Sequence, residues 1–240
     1  MKLLKKIPLV LLALFLWFVW WALAVILITL IIIISYILPK PTHNIIVKAT
    51  CTILTYSALI FPTLKSSVPG EVPFPVIYVA NHVSFFDLFI SGTLLPGNPR
   101  GLEMASHFRL FFYGWFLKRF GQVPIEAGNK VSVRKAMLKI KDIIENNERS
   151  ILIMPEGART FDGKVGKFKN SPFYLSRISG FPIVPVVFKG LFELNNRNSI
   201  IIKPGRCEVI LLDPVFSKDF VNDEAMSKHV KNVIQKELLK

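Results

Sequence analysis

The pattern of apolar and polar positions divides the chain near residue 67. From Ile7 to Pro39 there are 33 consecutive residues without a charge, Trp17, Trp20 and Trp21 among them. As a helix over residues 7–38 this run would be about 50 Å long, against roughly 30 Å of bilayer hydrocarbon. It must therefore tilt, break or extend into the headgroup layer. A core helix rarely stays apolar around its whole circumference for such a length. A cleaved signal peptide would end near Ala22-Leu23-Ala24, yet the apolar run continues through Leu38. The pattern predicts a retained, helical membrane anchor. A second apolar segment, residues 45–61, follows the Pro39-Lys40-Pro41 break and contains Lys48 with several Thr and Ser. It fits either an interfacial segment, with Lys48 snorkelling, or the return arm of a hairpin.

Beyond the anchor, short apolar runs of strand length alternate with helical periodicity. Val76 to Ala80, Gln122 to Glu126, Ser150 to Met154, Ile183 to Phe188, Ile200 to Lys203 and Cys207 to Leu212 read as strands. Ser84 to Leu95 reads as a helix ended by Pro96-Gly97. Residues 131–147 place Ala136, Met137, Ile140, Ile143 and Ile144 on one helical face. From about Asn222, Met226, Val230, Val233, Ile234 and Leu238 do the same for a closing helix. The expectation is an α/β fold: a mixed sheet flanked by helices, behind an N-terminal apolar helical anchor. The division falls at residues 1–66 for the anchor and 67–240 for the globular domain.

Charge sharpens this division. All 16 acidic residues lie at or after Glu71, and residues 1–70 carry only Lys2, Lys5, Lys6, Lys40, Lys48 and Lys65. The whole chain has a net charge of +14, which favours anionic partners. A hairpin or monotopic insertion would put both basic flanks in the cytoplasm, as the positive-inside rule asks. The expected location is the membrane, on the cytoplasmic face of the inner or plasma membrane in a bacterium, with the catalytic domain cytoplasmic. Cys51 and Cys207 form no disulfide framework and no CxxC pair, and no metal-ligand cluster stands out. A nucleic-acid-binding protein would not need the uncharged leader, and no recognised binding motif is present.

Two polar clusters follow predicted strands, where α/β sites form. The first is Asn81-His82-Val83-Ser84-Phe85-Phe86-Asp87. An imidazole acting as a base needs a partner on its second nitrogen to fix its tautomer and stabilise the imidazolium. Asp87 could supply that from the first helical turn, with His82 in the preceding loop. Ser84-x-x-Asp87 also reads as a helix capping box, and a carboxylate has two oxygens with which to serve both roles. His43, His107 and His229 lack such a context. The second cluster is Met154-Pro155-Glu156-Gly157-Ala158-Arg159-Thr160, where Gly157 permits close ligand approach and Arg159 offers a planar fork for phosphate. A plain turn with a solvated Glu-Arg pair has the same spacing. Lys164, Lys167 and Lys169 follow as a basic strip, either a solvated face or an aid in holding an anion.

In this order, behind an apolar leader, the clusters resemble the glycerolipid acyltransferases, the group that includes 1-acylglycerol-3-phosphate acyltransferase. Asn81-His82-x4-Asp87 looks like their first block, Pro155-Glu156-Gly157-Ala158-Arg159 like the third, and Phe181-Pro182-Ile183-Val184-Pro185-Val186 like the fourth. The similarity covers roughly residues 70–215. It implies acyl transfer from acyl-CoA or acyl-carrier protein to the free hydroxyl of a lysophospholipid, with no metal and no cofactor. The implied base is His82, oriented by Asp87. Glu156, Gly157 and Arg159 would bind the acceptor and its phosphate, and membrane lipids rather than nucleic acid would be the partners.

Departures bear on the acceptor. The second block commonly ends in an Asp-Arg pair; here Gly121-Gln122-Val123-Pro124-Ile125 is followed by Glu126-Ala127, leaving Lys130 as the nearest cation. Gly101-Leu102-Glu103-Met104 keeps a carboxylate where Lys-Glu-Leu is frequent, but lacks the lysine. Lys169-Asn170-Ser171-Pro172 stands where Lys-x-Gly is usual. 1-Acylglycerol-3-phosphate, giving phosphatidic acid, is the first acceptor to test, with another lysolipid as the alternative. A catalytically silent, membrane-tethered lipid-binding protein and a hydrolase using Ser84 are the competing readings. The latter lacks a GxSxG elbow.

Overall fold

The computed structural model describes residues 7–68, 72, 74–97, 99–126, 128–147 and 149–240. Lys2, Lys5, Lys6, Glu71 and Ala127, which the sequence argument used, lie outside them. Helix α1 (Ile7–Ile37) and helix α2 (Lys40–Ser57) lead into strand β1 (Ile60–Ser66). Then follow β2 (Ile77–Ala80), α3 (Asp87–Leu94), β3 (Arg100–Met104), α4 (Phe111–Arg119) and β4 (Val123–Ile125). The chain continues through α5 (Lys130–Asn147), β5 (Ile151–Ile153), α6 (Ser171–Ser179), β6 (Ile183–Lys189) and α7 (Leu191–Leu194). It ends with β7 (Gly205–Leu211) and α8 (Asp223–Leu238).

The sheet has seven strands in the order β1-β7-β6-β2-β5-β3-β4. All neighbours are parallel except β6 and β7, so the sheet is mixed, as the alternation of elements predicts. Its central strands are apolar throughout because both faces are covered. Tyr78 and Ala80 of β2 face a core shared with α1, α2 and α3. Ile77 and Val79 face a core built with α5, α6 and α8. Helix α8 opens with the Asn222 side chain accepting the Ala225 N–H at 2.9 Å, a cap suited to its acidic first turn.

Two expectations are corrected. Residues 45–61 do not form one apolar segment: α2 stops at Ser57, the chain turns through Leu59 at φ +57°, and β1 pairs with β7 from Ile60↔Gly205 onward. The β-branched and aromatic residues of 60–64 suit an edge strand, where Pro62 is tolerated. Ile200 to Lys203 is not a strand. Its backbone is committed elsewhere: the Lys203 N–H donates to the Leu194 carbonyl at 2.8 Å, and the Ile200 carbonyl accepts from Trp17 Nε1 at 2.6 Å.

Helix α1 is apolar all round but covered on one side only. Ala13, Leu16, Trp20, Ala24, Ile31 and Ser35 are buried against the protein. Leu14, Phe18, Trp21, Val25, Ile33 and Ile37, on the opposite stripe, are exposed. Polar contacts fix the covered side along its length: Trp17 to Ile200, Trp20 Nε1 to the Leu54 carbonyl at 2.9 Å, and Arg119 Nε to Ser35 Oγ at 2.7 Å. Helix α2 packs closely on α3 because Gly92 has no side chain; a Cβ there would sit 2.6 Å from Cys51 Sγ.

Candidate active site

The loop leaving β2 holds His82, and α3 begins five residues later at Asp87. The helix starts three residues later than the apolar pattern suggested, because Asp87 spends its carboxylate on the loop. Its Oδ2 accepts from Val83 N–H at 2.8 Å and Ser84 N–H at 3.0 Å, and lies 2.6 Å from His82 Nδ1. The two loop N–H groups and the imidazole thus share a single oxygen, and the expected capping box is not formed: α3 has Phe86 at its N-cap, with no side-chain cap among the described residues, and Ser84 Oγ accepts from the Phe86 N–H at 3.2 Å. Oδ1 is buried with no hydrogen-bond partner among the described residues. Asp87 is fully buried, while the His82 side chain keeps 24% of its surface exposed. With Nδ1 engaged, Nε2 is the nitrogen left to act.

His82 is fixed through its backbone as well, and here the two clusters meet. Its N–H donates to Glu156 Oε1 at 2.8 Å, and its carbonyl accepts from the Thr160 N–H at 2.9 Å. Glu156 Oε2 accepts from Gly166 N–H at 2.7 Å, tying down the following loop. Burial holds the Glu156 carboxyl above its ordinary range, opposed by these two backbone donors. Asn81 clamps the strand end, accepting from Phe188 N–H at 2.8 Å and donating to the Phe188 carbonyl at 3.1 Å. Ser84 Oγ, the nucleophile of the hydrolase alternative, donates to Asn195 Oδ1 at 2.9 Å and is fully buried. Pro185 of the proline-punctuated strand β6 lies opposite Val79 of β2, three residues before His82.

His82 opens into a cavity of about 1210 Å³ between the strand ends and α5. Leu102, Met104, Ile125, Val133, Met137 and Phe168 give it apolar walls, while Lys130, Arg134, Lys167 and Lys169 supply cations. Gly157 also lines it, at φ +72°; a Cβ at that position would collide with Lys169 Nζ, so the glycine leaves the slot that the lysine crosses. A smaller cavity of about 130 Å³ shares Leu88, Glu103 and Leu152 with the large one and extends between α1, α2 and α4. Among the described residues no group of three or more His, Cys, Asp or Glu could hold a metal ion.

Of the residues expected at the site, His82, Gly157, Lys130 and Lys169 line the cavity. Asp87 stands behind His82. Glu156 and Arg159 are placed differently from a direct acceptor contact. Both Glu156 oxygens are spent on backbone N–H groups, and Arg159 is not among the lining residues, its carbonyl accepting from Arg197 Nη1 at 2.9 Å. Sequence reasoning missed Arg134, although its i+4 spacing from Lys130 puts both on one helical face. It also missed Asn195, which no local signal could have linked to Ser84 across 111 residues. His107 does have a carboxylate partner: its Nδ1 pairs with Glu103, which also accepts from Tyr113 Oη at 3.3 Å.

The chain resembles proteins of known activity. A chloroplastic 1-acyl-sn-glycerol-3-phosphate acyltransferase of Brassica napus is 28% identical over 182 residues, covering 72% of this chain and 52% of the relative. The 1-acyl-sn-glycerol-3-phosphate acyltransferase of Saccharomyces cerevisiae is 26% identical over 152 residues, covering 62% and 50%. The chain spans about half the length of these relatives. The crystal structure of the 1-acyl-sn-glycerophosphate acyltransferase of Thermotoga maritima shares the fold, with a TM-score of 0.79, 22% identity, and coverage of 98% of this chain and 96% of that one. A family model described as Acyltransferase matches residues 67–189. That stretch runs to the end of β6 and takes in both the His82 loop and the turn that grips its backbone, and the chain accordingly belongs to the Acyltransferase family.

Proposed function

We propose that this protein transfers a fatty acyl group from a thioester donor, acyl-CoA or acyl-carrier protein, to the free hydroxyl of 1-acylglycerol-3-phosphate, giving phosphatidic acid. The observation that carries the reading is an imidazole held at Nδ1 by a buried carboxylate and lining a cavity whose walls are largely apolar and include four cations against two carboxylates, Glu103 and Asp223. His82 Nε2 takes the hydroxyl proton as the acceptor oxygen attacks the thioester carbonyl. The C–S bond then breaks, and the imidazolium returns the proton to the departing thiolate. Asp87 keeps the ring oriented and stabilises the imidazolium. Lys130 and Lys169, joined by Arg134 and Lys167, are the cations of the cavity lining that would hold the acceptor phosphate, and Arg159 lies outside that lining. The relatives named for this reaction support the choice of acceptor.

Helix α1 is read as lying in one leaflet rather than crossing the bilayer. Its contacts with the globular domain run from Trp17 to Ser35, about 27 Å of helix, so a perpendicular crossing would drag the domain into hydrocarbon. With one stripe against protein and an apolar stripe left over, in-plane insertion satisfies both. The catalytic domain then lies on the cytoplasmic side, where the basic excess meets anionic lipid.

The test is thioester consumption by the purified chain with a panel of lysolipids and both carriers. Consumption that requires 1-acylglycerol-3-phosphate is expected. Preference for another lysolipid would change the acceptor, thiol release without any acceptor would mean a hydrolase, and no consumption would leave a lipid-binding protein.

A further inference from the structure

The segment after β3 carries an apolar surface that the acyl-transfer site does not use. Leu110, Phe111, Phe112 and Trp115 are exposed, Phe111 by 72%. Their rings form one cluster, with Phe111 and Phe112 centroids 4.9 Å apart and Phe111 and Trp115 stacked at 5.5 Å. The opposite side of α4 is occupied: Gly114 sits against the Phe108 carbonyl, Leu117 is buried, and Tyr113 and Phe116 line the small cavity. The aromatic stripe therefore faces outward by construction. A cluster of adjoining exposed rings is costly in water and marks a contact surface.

The identity of that contact follows from charge and continuity. From Met104 to Ile125 the chain carries Arg109, Lys118 and Arg119 and no acidic residue. Aromatic rings beside cations are the composition of the membrane interface, where rings settle at headgroup level and cations meet anionic lipid. Arg119 also joins α4 to the far end of α1, bonding Ser35 and lying 4.4 Å over the Tyr36 ring. Tyr36, Ile33 and Ile37 belong to the uncovered stripe of α1, so the apolar surface passes from one helix to the other.

We propose that α4 is a second lipid-contacting element, with Phe111, Phe112 and Trp115 seated in the interfacial layer of the leaflet that holds α1. The inference rests on the in-plane reading of α1 and adds a consequence for catalysis. Leu102, Glu103 and Met104, at the end of β3 just ahead of this segment, line the large cavity. Seating α4 brings the mouth of that cavity down to the headgroups, where a lysolipid resides.

The full chain is bound to phosphatidylglycerol–phosphatidylcholine vesicles with brominated acyl chains, and its tryptophan fluorescence is compared with that of Trp115→Phe and Trp21→Phe. Both substitutions are expected to remove part of the bromine-quenched emission. Loss of quenched emission in Trp21→Phe but not in Trp115→Phe would overturn the seating of α4 and leave α1 in the membrane. No quenching in any form would remove the membrane reading itself. If Trp115 is shielded from brominated lipid in a chain that sedimentation shows to be dimeric, the surface belongs to a second copy and the proposal fails. A Phe111→Ser/Phe112→Ser/Trp115→Ser variant, checked for an unchanged melting transition, should lose about tenfold in kcat/KM on vesicle-borne lysolipid. It should keep the wild-type rate on a monomeric short-chain acceptor. Equal losses on both acceptors would overturn the role in substrate access, as would no loss on vesicles.

Discussion

Among the described residues, two imidazoles bond a carboxylate through Nδ1, and they differ in nearly everything else. His82 meets Asp87, a carboxylate with no exposed surface whose bonding oxygen also accepts two backbone N–H groups. His107 meets Glu103 at i, i+4 across the end of β3, with 43% of the imidazole side chain in solvent. The first pair is held from four directions: the Asp87 oxygen, the Glu156 carboxylate, the Thr160 N–H and the strand-end clamp of Asn81. The second has Tyr113 on its carboxylate and, on the His107 carbonyl, the Leu110 N–H of the same turn at 3.1 Å. His82 lines the large cavity, whereas His107 does not. A histidine–carboxylate contact is therefore insufficient to mark a site. What distinguishes the His82 pair is a buried carboxylate that also accepts two backbone N–H groups and an imidazole that lines a cavity large enough for a substrate.

The sharpest way to break this comparison is to remove the two rings in turn. His82→Ala should lower kcat by about 10²–10⁴-fold in the thioester assay, the usual cost of losing a general base. A near-normal rate in a folded variant would end the assignment. Asp87→Asn should cost about 10²-fold. The amide cannot stabilise an imidazolium as a carboxylate does, and its NH2 would lie either toward the donors around Oδ2 or in the partnerless position of Oδ1. Wild-type kcat in that variant would show that orientation of His82 comes from the backbone bonds alone.

Glu156 tests those backbone bonds. In Glu156→Gln a single amide oxygen remains for two N–H donors, so either His82 or Gly166 faces an NH2 group, at a stability cost of about 1–3 kcal/mol. Activity should fall through kcat, because the histidine loosens, with acceptor KM little changed. A rise in KM alone would return Glu156 to substrate binding. The pH dependence has a definite sign. Burial holds the folded carboxyl above its unfolded value, so the native state favours the protonated form. The stability of the wild type relative to Glu156→Gln should therefore decline as pH rises from the ordinary carboxylate range through the raised value. Thermal unfolding of both proteins across that acidic window measures it.

How much of this was legible beforehand depended on the range of each interaction. The His82–Asp87 pair spans five residues and could be read from local spacing, whereas the capping box read from Ser84 and Asp87 did not form, because the helix starts only at Asp87. The sharing of one oxygen could not be read that way, because it depends on the loop geometry between them. Apolar periodicity located α5 and α8 closely, but it said nothing of β1, whose partner β7 lies some 145 residues away and which carries only a short edge-strand pattern. The length and uniform hydrophobicity of α1 were plain. Its two-sidedness was not marked by polarity, since both stripes are apolar; the covered one differs in carrying the small residues Ala13, Ala24 and Ser35, which let the protein pack close. The resemblance implies an acceptor-binding role for Glu156, whereas in the fold its carboxylate accepts from the His82 N–H, 74 residues earlier in the chain.

A second contrast separates the cations. Lys169 crosses the Gly157 slot into the cavity, while Arg159 sits outside it. Lys169→Ala should raise acceptor KM by about tenfold, the loss expected for one charge-assisted bond to phosphate, with kcat changed less. Arg159→Ala should change KM by no more than about two- to threefold. The reverse order, measured on the same lysolipid, would place the phosphate on the outer side of the turn and require the loop to move when substrate binds.

The smallest effect is expected at the second imidazole, and its smallness is the informative result. In His107→Gln the amide can still donate to Glu103, and Tyr113 Oη continues to do so, so the carboxylate keeps its partners. The ring is nearly half exposed, and an ion pair of that kind contributes at most about 1 kcal/mol. The rate on any acceptor should stay within about twofold of wild type. Because Glu103 also separates the two cavities, a larger loss would have a specific meaning. It would show that His107 sets the position of that carboxylate at the wall, and the loss should then depend on acyl-chain length. A chain-length-independent loss, comparable to that of Asp87→Asn, would instead make the two pairs equivalent and undo the distinction drawn between them.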